Sequence, residues 1–350
     1  MPRKLKRNLP RQIDLIPYEE RPLKADEIRA QAVLSGISHG TEMNLYRGTS
    51  PFNDRHFDTD LRLFLPGSEH TDYSDYLGYE WVGRVTEVGS QVKHLKPGDL
   101  IHMPLPHSET HTFVPENVPD WGHIDVLPPE VTPDNAVFLA LAGVALQAVH
   151  DAKIKVGDRV AIFGMGVIGL LAVQLARLSG AAWIDAVDLF TVRRNLALSF
   201  GANRALDPGA CDVGNEIKMA SPQRGADVAI EVSGHYAALH EAIRSARKSG
   251  TVVAAGYYQG GGTPLRLGEE WHHNRITMIS SMAVWNNPHR DYPAWDRIRI
   301  NSTVTDLMAD GRLRTDGLIT HRIPFTRAHE AYELIDSNPA EVVKVVLTYD

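Results

Sequence analysis

Three glycines, Gly164, Gly166 and Gly169, stand at G-x-G-x-x-G spacing within RVAIFGMGVIGLLAVQLARLSG, and the chemistry that spacing suits is the holding of a pyrophosphate. A β-rich apolar run precedes them and an amphipathic helical pattern follows. In that setting Gly164 permits a tight turn, Gly166 lets backbone approach the phosphates, and Gly169 lets strand and helix pack closely. The helix would open at Val167 and Ile168, turning its first N–H groups and the positive end of its dipole toward the anion. Asp188 follows 19 residues after Gly169, at the end of WIDAVD, where a carboxylate can accept hydrogen bonds from the adenosine ribose hydroxyls. A 2′-phosphate there would meet a like charge, so NAD is expected over NADP, with Arg193 and Arg194 nearby able to offset part of the repulsion.

The elements that must position these residues are legible as a change of texture. Up to about residue 140, short β-rich runs such as IRAQAVLSGI and WVGRVTEVG alternate with turn clusters such as KPGD, a pattern that predicts a compact, mainly β domain. From about residue 155, the strand candidates RVAIF, WIDAV, VAIEV and TVVAA are each followed by a helical pattern, which implies right-handed crossovers and a parallel sheet. A helical stretch, YPAWDRIRINSTVTDLMADG, then leads to two final β-like runs, GLITHRI and VVKVVLTY, too few to form a domain and therefore expected to rejoin the first.

The nucleotide half, together with GYEWVGRVTEVGSQVKHLKPGD, VTPDNAVFLALAGVALQAV and VVKVVLTY, resembles the medium-chain dehydrogenase/reductase superfamily, particularly its zinc-type alcohol and polyol branch. The resemblance implies an α/β protein: a GroES-like β domain from residues 1–145 and 286–350 flanking a Rossmann-type, doubly wound domain at 146–285, with substrate and nicotinamide in the cleft between. It also implies that Lys344 reaches the cofactor pyrophosphate and that backbone at Gly256 lies beside the nicotinamide. A homodimer or homotetramer is implied as well.

The family's catalytic zinc is held by a cysteine in a G-x-C-G-S-D-like segment, the histidine of G-H-E, and a cysteine or glutamate ahead of the nucleotide domain. Here those stretches read GISHGTE, GYE and LALAGV, which put Ser38 or His39 at the first position, Tyr79 then Glu80 at the second, and Ala140 or an apolar neighbour at the third. A catalytic zinc needs three protein ligands and one open position, and only His39 and Glu80 remain as donors, so no metal is expected. The cysteine-rich lobe of the structural zinc is replaced by MPLPHSETHTF. Oxidising an alcohol without zinc still requires a base for the hydroxyl proton and a donor for the developing alkoxide. His39 suits the base role, and Tyr79 and Thr41 offer hydroxyls as donors or relays. The alternative is that Tyr79 packs in the cleft wall and His39 contacts cofactor phosphate. Ser38 and Trp285 are candidates for the substrate pocket.

Other patterns lead elsewhere. GISHG matches the G-x-S-x-G nucleophile elbow, but Ser38 lies in the β-rich half with only a short TEMNLYRG behind it. His107 and His111 flank Glu109 at helical ligand spacing, yet Pro106 and the following Thr and Phe favour extended chain, in which four residues span ~13 Å. His272 and His273 are assigned to a helix end or rim, and Cys211 has no role.

Over 350 residues the chain is 43% hydrophobic and 23% charged, with a formal charge of -7. That balance gives no electrostatic footprint for nucleic acid, and no run reaches the ~20 apolar residues of a membrane span. The opening MPRKLKRNLPRQ lacks the apolar core of a signal peptide, and a single cysteine excludes an internal disulfide, so the cytoplasm is expected. The expected activity is NAD-dependent, zinc-independent interconversion of a secondary alcohol, such as a polyol, sugar or cyclitol, and a ketone. The alternatives are reduction of an enone or quinone within the same superfamily, and a catalytically inactive nucleotide-binding protein.

Overall fold

The computed structural model describes residues 1–67, 76–117, 123–221, 224–282 and 288–349. The chain forms two compact units, Met1–Ala140 with Ile319–Asp350, and Leu141–Leu318.

The first unit is built on a seven-stranded sheet. Its path runs Ile319–Pro324, Lys344–Thr348, Ile28–Gly36, Trp81–Val88, Leu100–Met103 and Asp125–Val126, and Thr110–Phe113 pairs with Ile28–Gly36. In Ile28–Gly36 the residues Ile28, Ala30, Ala32 and Leu34 are buried and alternate with more accessible ones, as a strand with one face on a core requires. Ile28, Ala30 and Ala32 meet Trp81, Val85 and Ile101 from the neighbouring strands. The chain end returns as expected: Lys344–Thr348 pairs antiparallel with Ile28–Gly36, with Leu347 opposite Ser35. Lys344 is carried into the interior by that pairing.

The second unit holds a six-stranded parallel sheet in the order Arg204–Leu206, Trp183–Val187, Arg159–Phe163, Ala226–Glu231, Ala246–Ala254 and Thr277–Ser280. Numbered along the chain, this is 3-2-1-4-5-6, the doubly wound order, whose direction reverses between Arg159–Phe163 and Ala226–Glu231. Val160, Ala161, Ile162 and Phe163 are all buried, the continuous apolar run of a strand covered on both sides.

The domain boundary differs from the sequence expectation. Residues 288–318 group with the second unit, whereas the resemblance implied that 286–350 belongs to the first. The reason is packing of the helix Arg297–Ala309, which buries Ile300, Val304, Leu307 and Met308. Ile300 and Asn301 come within 3.5 Å of the point where a Cβ on Gly143, in the helix Leu139–Ala152, would stand. An amphipathic pattern says that a helix is buried on one face and leaves the covering surface unspecified.

Candidate functional site

In the second unit the glycine turn joins the strand Arg159–Phe163 to the helix Val167–Leu178. Gly164 has φ +93°, in the region that favours glycine, and a Cβ there would stand 2.7 Å from Cβ of Ser233. A Cβ on Gly169 would lie 1.8 Å from the Gly164 carbonyl oxygen, so helix and turn approach more closely than any side chain allows. Gly166, the N-cap, has nothing within 4 Å of its Cβ position and caps the helix with no side chain. The first-turn N–H groups of Val167 and Ile168 therefore open a helix whose amino end is built for an anion. These features fit a dinucleotide pyrophosphate.

Asp188 stands immediately after the strand Trp183–Val187 and is 9% exposed. Its Oδ2 accepts from the Met165 backbone N–H and its Oδ1 from the Phe190 N–H, both at 2.8 Å. The carboxylate thus ties the glycine turn to the next loop, and its remaining lone pairs are available to ribose hydroxyls. Arg193 approaches Oδ2 at 4.0 Å and lies over the Phe190 ring; burial lowers its pKa, an effect that Asp188 opposes. Arg194 is engaged differently, donating to the carbonyls of Asp188 (2.8 Å) and Leu189 (2.7 Å) and pairing with Asp207. It braces the loop.

Beyond the switch point, Glu231 ends its strand fully buried and accepts from the Ser233 N–H (2.7 Å), the Ser233 hydroxyl, the Gly234 N–H (3.2 Å) and the Tyr258 hydroxyl. Burial raises the pKa of its carboxyl, opposed by the donors from Ser233, Tyr258 and Gly234. A Cβ on Gly256 would come within 2.3 Å of the Gly234 nitrogen, so the segment expected to lie beside the nicotinamide is packed directly on this group. The sequence reading did not single out Glu231. Its signal was a carboxylate inside the otherwise apolar run VAIEV, two residues ahead of Ser-Gly.

In the first unit, two expected pocket residues come together: the Tyr79 hydroxyl donates to Ser38 Oγ at 2.5 Å. Ser38 is buried, His39 and Tyr79 are half-buried, and Thr41 begins the helix Thr41–Arg47 two residues beyond His39. The loop is held from behind by Glu42, whose Oε2 accepts from the Ser38 N–H at 3.0 Å. The Glu42 Oε1 accepts from the Tyr332 hydroxyl and from His107 Nε2 (2.9 Å), while His107 Nδ1 meets Ser35 Oγ at 2.7 Å and Ser35 meets the Tyr349 hydroxyl at 2.7 Å. Burial, followed by Glu42, pushes the Tyr332 phenol well above its usual pKa. Sequence reasoning missed this network, because its members lie between residues 35 and 349 and carry no local motif. His107 is in use here and His111 donates to the Pro106 carbonyl at 2.9 Å, so neither belongs to a helical metal motif.

Glu80 and Lys344, given separate roles from sequence, are partners. Both are essentially fully buried, the Lys344 ammonium sits on Glu80 Oε2, and it donates to the Ile37 carbonyl at 2.9 Å. Burial raises the Glu80 pKa and Lys344 opposes that rise. The Lys344 ammonium, expected from the resemblance to reach the cofactor pyrophosphate, is instead held inside the first unit by Glu80 and the Ile37 carbonyl. The chain's only cysteine, Cys211, lies in the second unit and donates to the Asp207 carbonyl at 3.4 Å. Among the described residues, the one three-member group spaced to hold a metal is His240, Glu269 and Glu270, also in the second unit. Trp285 lies outside the described residues.

Comparison with known proteins gives consistent results. The family model described as zinc-binding dehydrogenase matches residues 167–298. D-guloside 3-dehydrogenase of Escherichia coli is 34% identical over 99% of this chain and 100% of its own, and D-xylulose reductase of Saccharomyces cerevisiae is 28% identical over 77% and 80%. The solved structure of 2R,3R-butanediol dehydrogenase from Bacillus subtilis superposes with a TM-score of 0.79 at 23% identity, covering 100% of each chain.

Proposed function

Because this chain belongs to the zinc-type medium-chain dehydrogenase/reductase superfamily and is an oxidoreductase of secondary alcohols, we propose that it oxidises a ring or chain hydroxyl of a glycoside, sugar or polyol to a ketone, using NAD and no catalytic zinc. The observation that carries the reading is the seat formed by the open Gly166 position, the uncapped helix behind it and Asp188 bonded across the turn. The end-to-end match to a glycoside dehydrogenase supports the substrate class.

The donors in the first unit do not fit a family-type zinc. Glu80 is engaged by Lys344, Tyr79 replaces the histidine, and no cysteine is present in that unit. Bound NAD would supply the hydride acceptor. The chain's own groups would manage the proton: His39 takes it from the substrate hydroxyl, and Tyr79 and Thr41 donate to the substrate oxygen. Tyr79 has a single hydroxyl proton, which it gives to Ser38 Oγ here, so its donation to the substrate oxygen requires it to turn from Ser38 when substrate binds. The substrate is a small molecule. Neither the charge of -7 nor any described helix, none being long and apolar enough to cross a membrane, suits nucleic acid or a bilayer, and the cytoplasm is the corresponding location.

The test combines metal content with turnover. Protein purified without chelator is assayed for zinc by plasma mass spectrometry, then for NADH formation on gulosides, other glycosides and polyols before and after chelation. Substoichiometric zinc with activity that survives chelation is expected. About one zinc per chain, with activity lost on chelation, overturns the metal-free reading. NADH consumption by an enone and by no ketone replaces it with double-bond reduction.

A further inference from the structure

We propose that Glu231 is a positioning residue for the nicotinamide half of the bound dinucleotide, locking the two loops beyond the switch point into one surface. The inference rests on the dinucleotide reading above and adds a role for a residue remote from the glycine turn in sequence.

In a 3-2-1-4-5-6 sheet the two halves of a dinucleotide lie on either side of the reversal. Asp188, at the end of the second strand, marks the adenosine side, so the nicotinamide half falls over the loops that follow Glu231 and Ala254. Those loops contain no regular structure to hold them. Glu231 does so twice. Its backbone carbonyl accepts from the N–H groups of Ala255 (2.8 Å) and Gly256 (3.0 Å), and its carboxylate gathers Ser233, Gly234 and Tyr258. The Gly256 Cβ position is only 2.8 Å from Glu231 Oε2, so the backbone there rests on the carboxylate itself. Ser233 in turn presses on Gly164, which connects the same residue to the pyrophosphate turn.

A buried carboxylate at the end of an otherwise apolar strand is costly, and a fold alone would be served by a valine. What the carboxylate adds is a fixed geometry. All four of its donors come from the two loops, and none comes from the neighbouring strands. Glutamine at this position keeps the acceptor for Ser233 but turns an N–H₂ toward the Gly234 N–H. The backbone bonds to residues 255 and 256 survive the change, so the variant retains the sheet.

The experiment is a fluorescence titration of full-length wild type and Glu231→Gln with NADH, paired with calorimetric titration of ADP-ribose, which lacks the nicotinamide. Glu231→Gln is expected to weaken NADH about tenfold and to leave ADP-ribose within about twofold of wild type. Equal NADH affinity in both proteins overturns the proposal, and so does a parallel loss of both ligands, which would mark a general support of the turn. Wild type that binds neither ligand sinks the dinucleotide reading instead, so the two failures are distinct. If Glu231→Gln does not fold, Tyr258→Phe decides. It removes one donor, and a roughly threefold loss for NADH alone supports the assignment, whereas no loss overturns it.

Discussion

At Glu42 three donors converge on one buried carboxylate: the Ser38 N–H, the Tyr332 hydroxyl and His107. Removing an acceptor of this kind leaves each donor without water or partner, so Glu42→Ala is expected to cost about 3–5 kcal/mol of stability, measured by urea unfolding. Tyr79→Phe touches the same loop from its open side and should leave unfolding within about 1 kcal/mol while lowering turnover tenfold or more, since it removes one neutral hydrogen bond but a proposed oxyanion donor. Full turnover by that variant would end the catalytic role given to Tyr79. In the other unit, Asp188→Ser should weaken NADH at least tenfold relative to NADPH, because it removes both the ribose acceptor and the charge that repels a 2′-phosphate. Asp188 was legible because it follows a motif at fixed spacing. Glu42, Glu231 and the Glu80–Lys344 pair were not, since each acquires its meaning from partners brought together only by folding, up to 290 residues apart in the case of Glu42 and Tyr332.

The strand–turn–helix element at Arg159–Leu178 was read correctly from its pattern, and its glycines separate into ones whose Cβ position is crowded and one, Gly166, whose Cβ position is open. Gly169→Ala would improve helix propensity by about 1 kcal/mol, yet its Cβ would sit 1.8 Å from a carbonyl oxygen, so the variant should be the less stable protein by several kcal/mol. Gly166→Ala meets open space and should melt near wild type while losing NADH, because its methyl occupies the approach of the phosphates. A melt and a titration on each variant check both statements. Elements also set the pH response. His111, in the strand Thr110–Phe113, and His150, in the helix Leu139–Ala152, are each held near pKa 4 chiefly by burial, against an ordinary value of 6.5. The unfolded chain therefore takes up these protons first. Their stabilisation is complete above about pH 6.5 and is lost as pH falls toward 4, by up to about 3 kcal/mol for His111 and by less for the more accessible His150, which solvent screens. Unfolding midpoints should drop over that window, and His111→Leu should flatten the part of the slope that belongs to the first unit.

At the scale of the whole molecule the alternation of strand and helix was sufficient to reveal a parallel sheet, and the β-like chain end was sufficient to predict its return to the first unit. The helix Arg297–Ala309 was assigned to the wrong side because one-sided hydrophobicity does not name its partner. The expected association of copies can be argued from the same sheet. Its last strand, Thr277–Ser280, pairs with Ala246–Ala254 on one side and ends the sheet on the other, with Thr277, Met278 and Ser280 exposed and Met282 45% exposed just beyond. A sheet that ends on an uncharged, partly apolar strand offers a template for a second strand. We propose that two copies associate along this edge in a closed, two-fold pair, which would give the homodimer or homotetramer that the resemblance implies, with the Arg290 guanidinium that now donates to the Ser280 carbonyl at its end. Light scattering on eluting protein should then give two or four times the chain mass, and Met278→Lys, which places a charge on that edge, should shift it toward one. A wild-type monomer would remove the proposal. A dimer unaffected by Met278→Lys would keep the assembly and move its interface to another face.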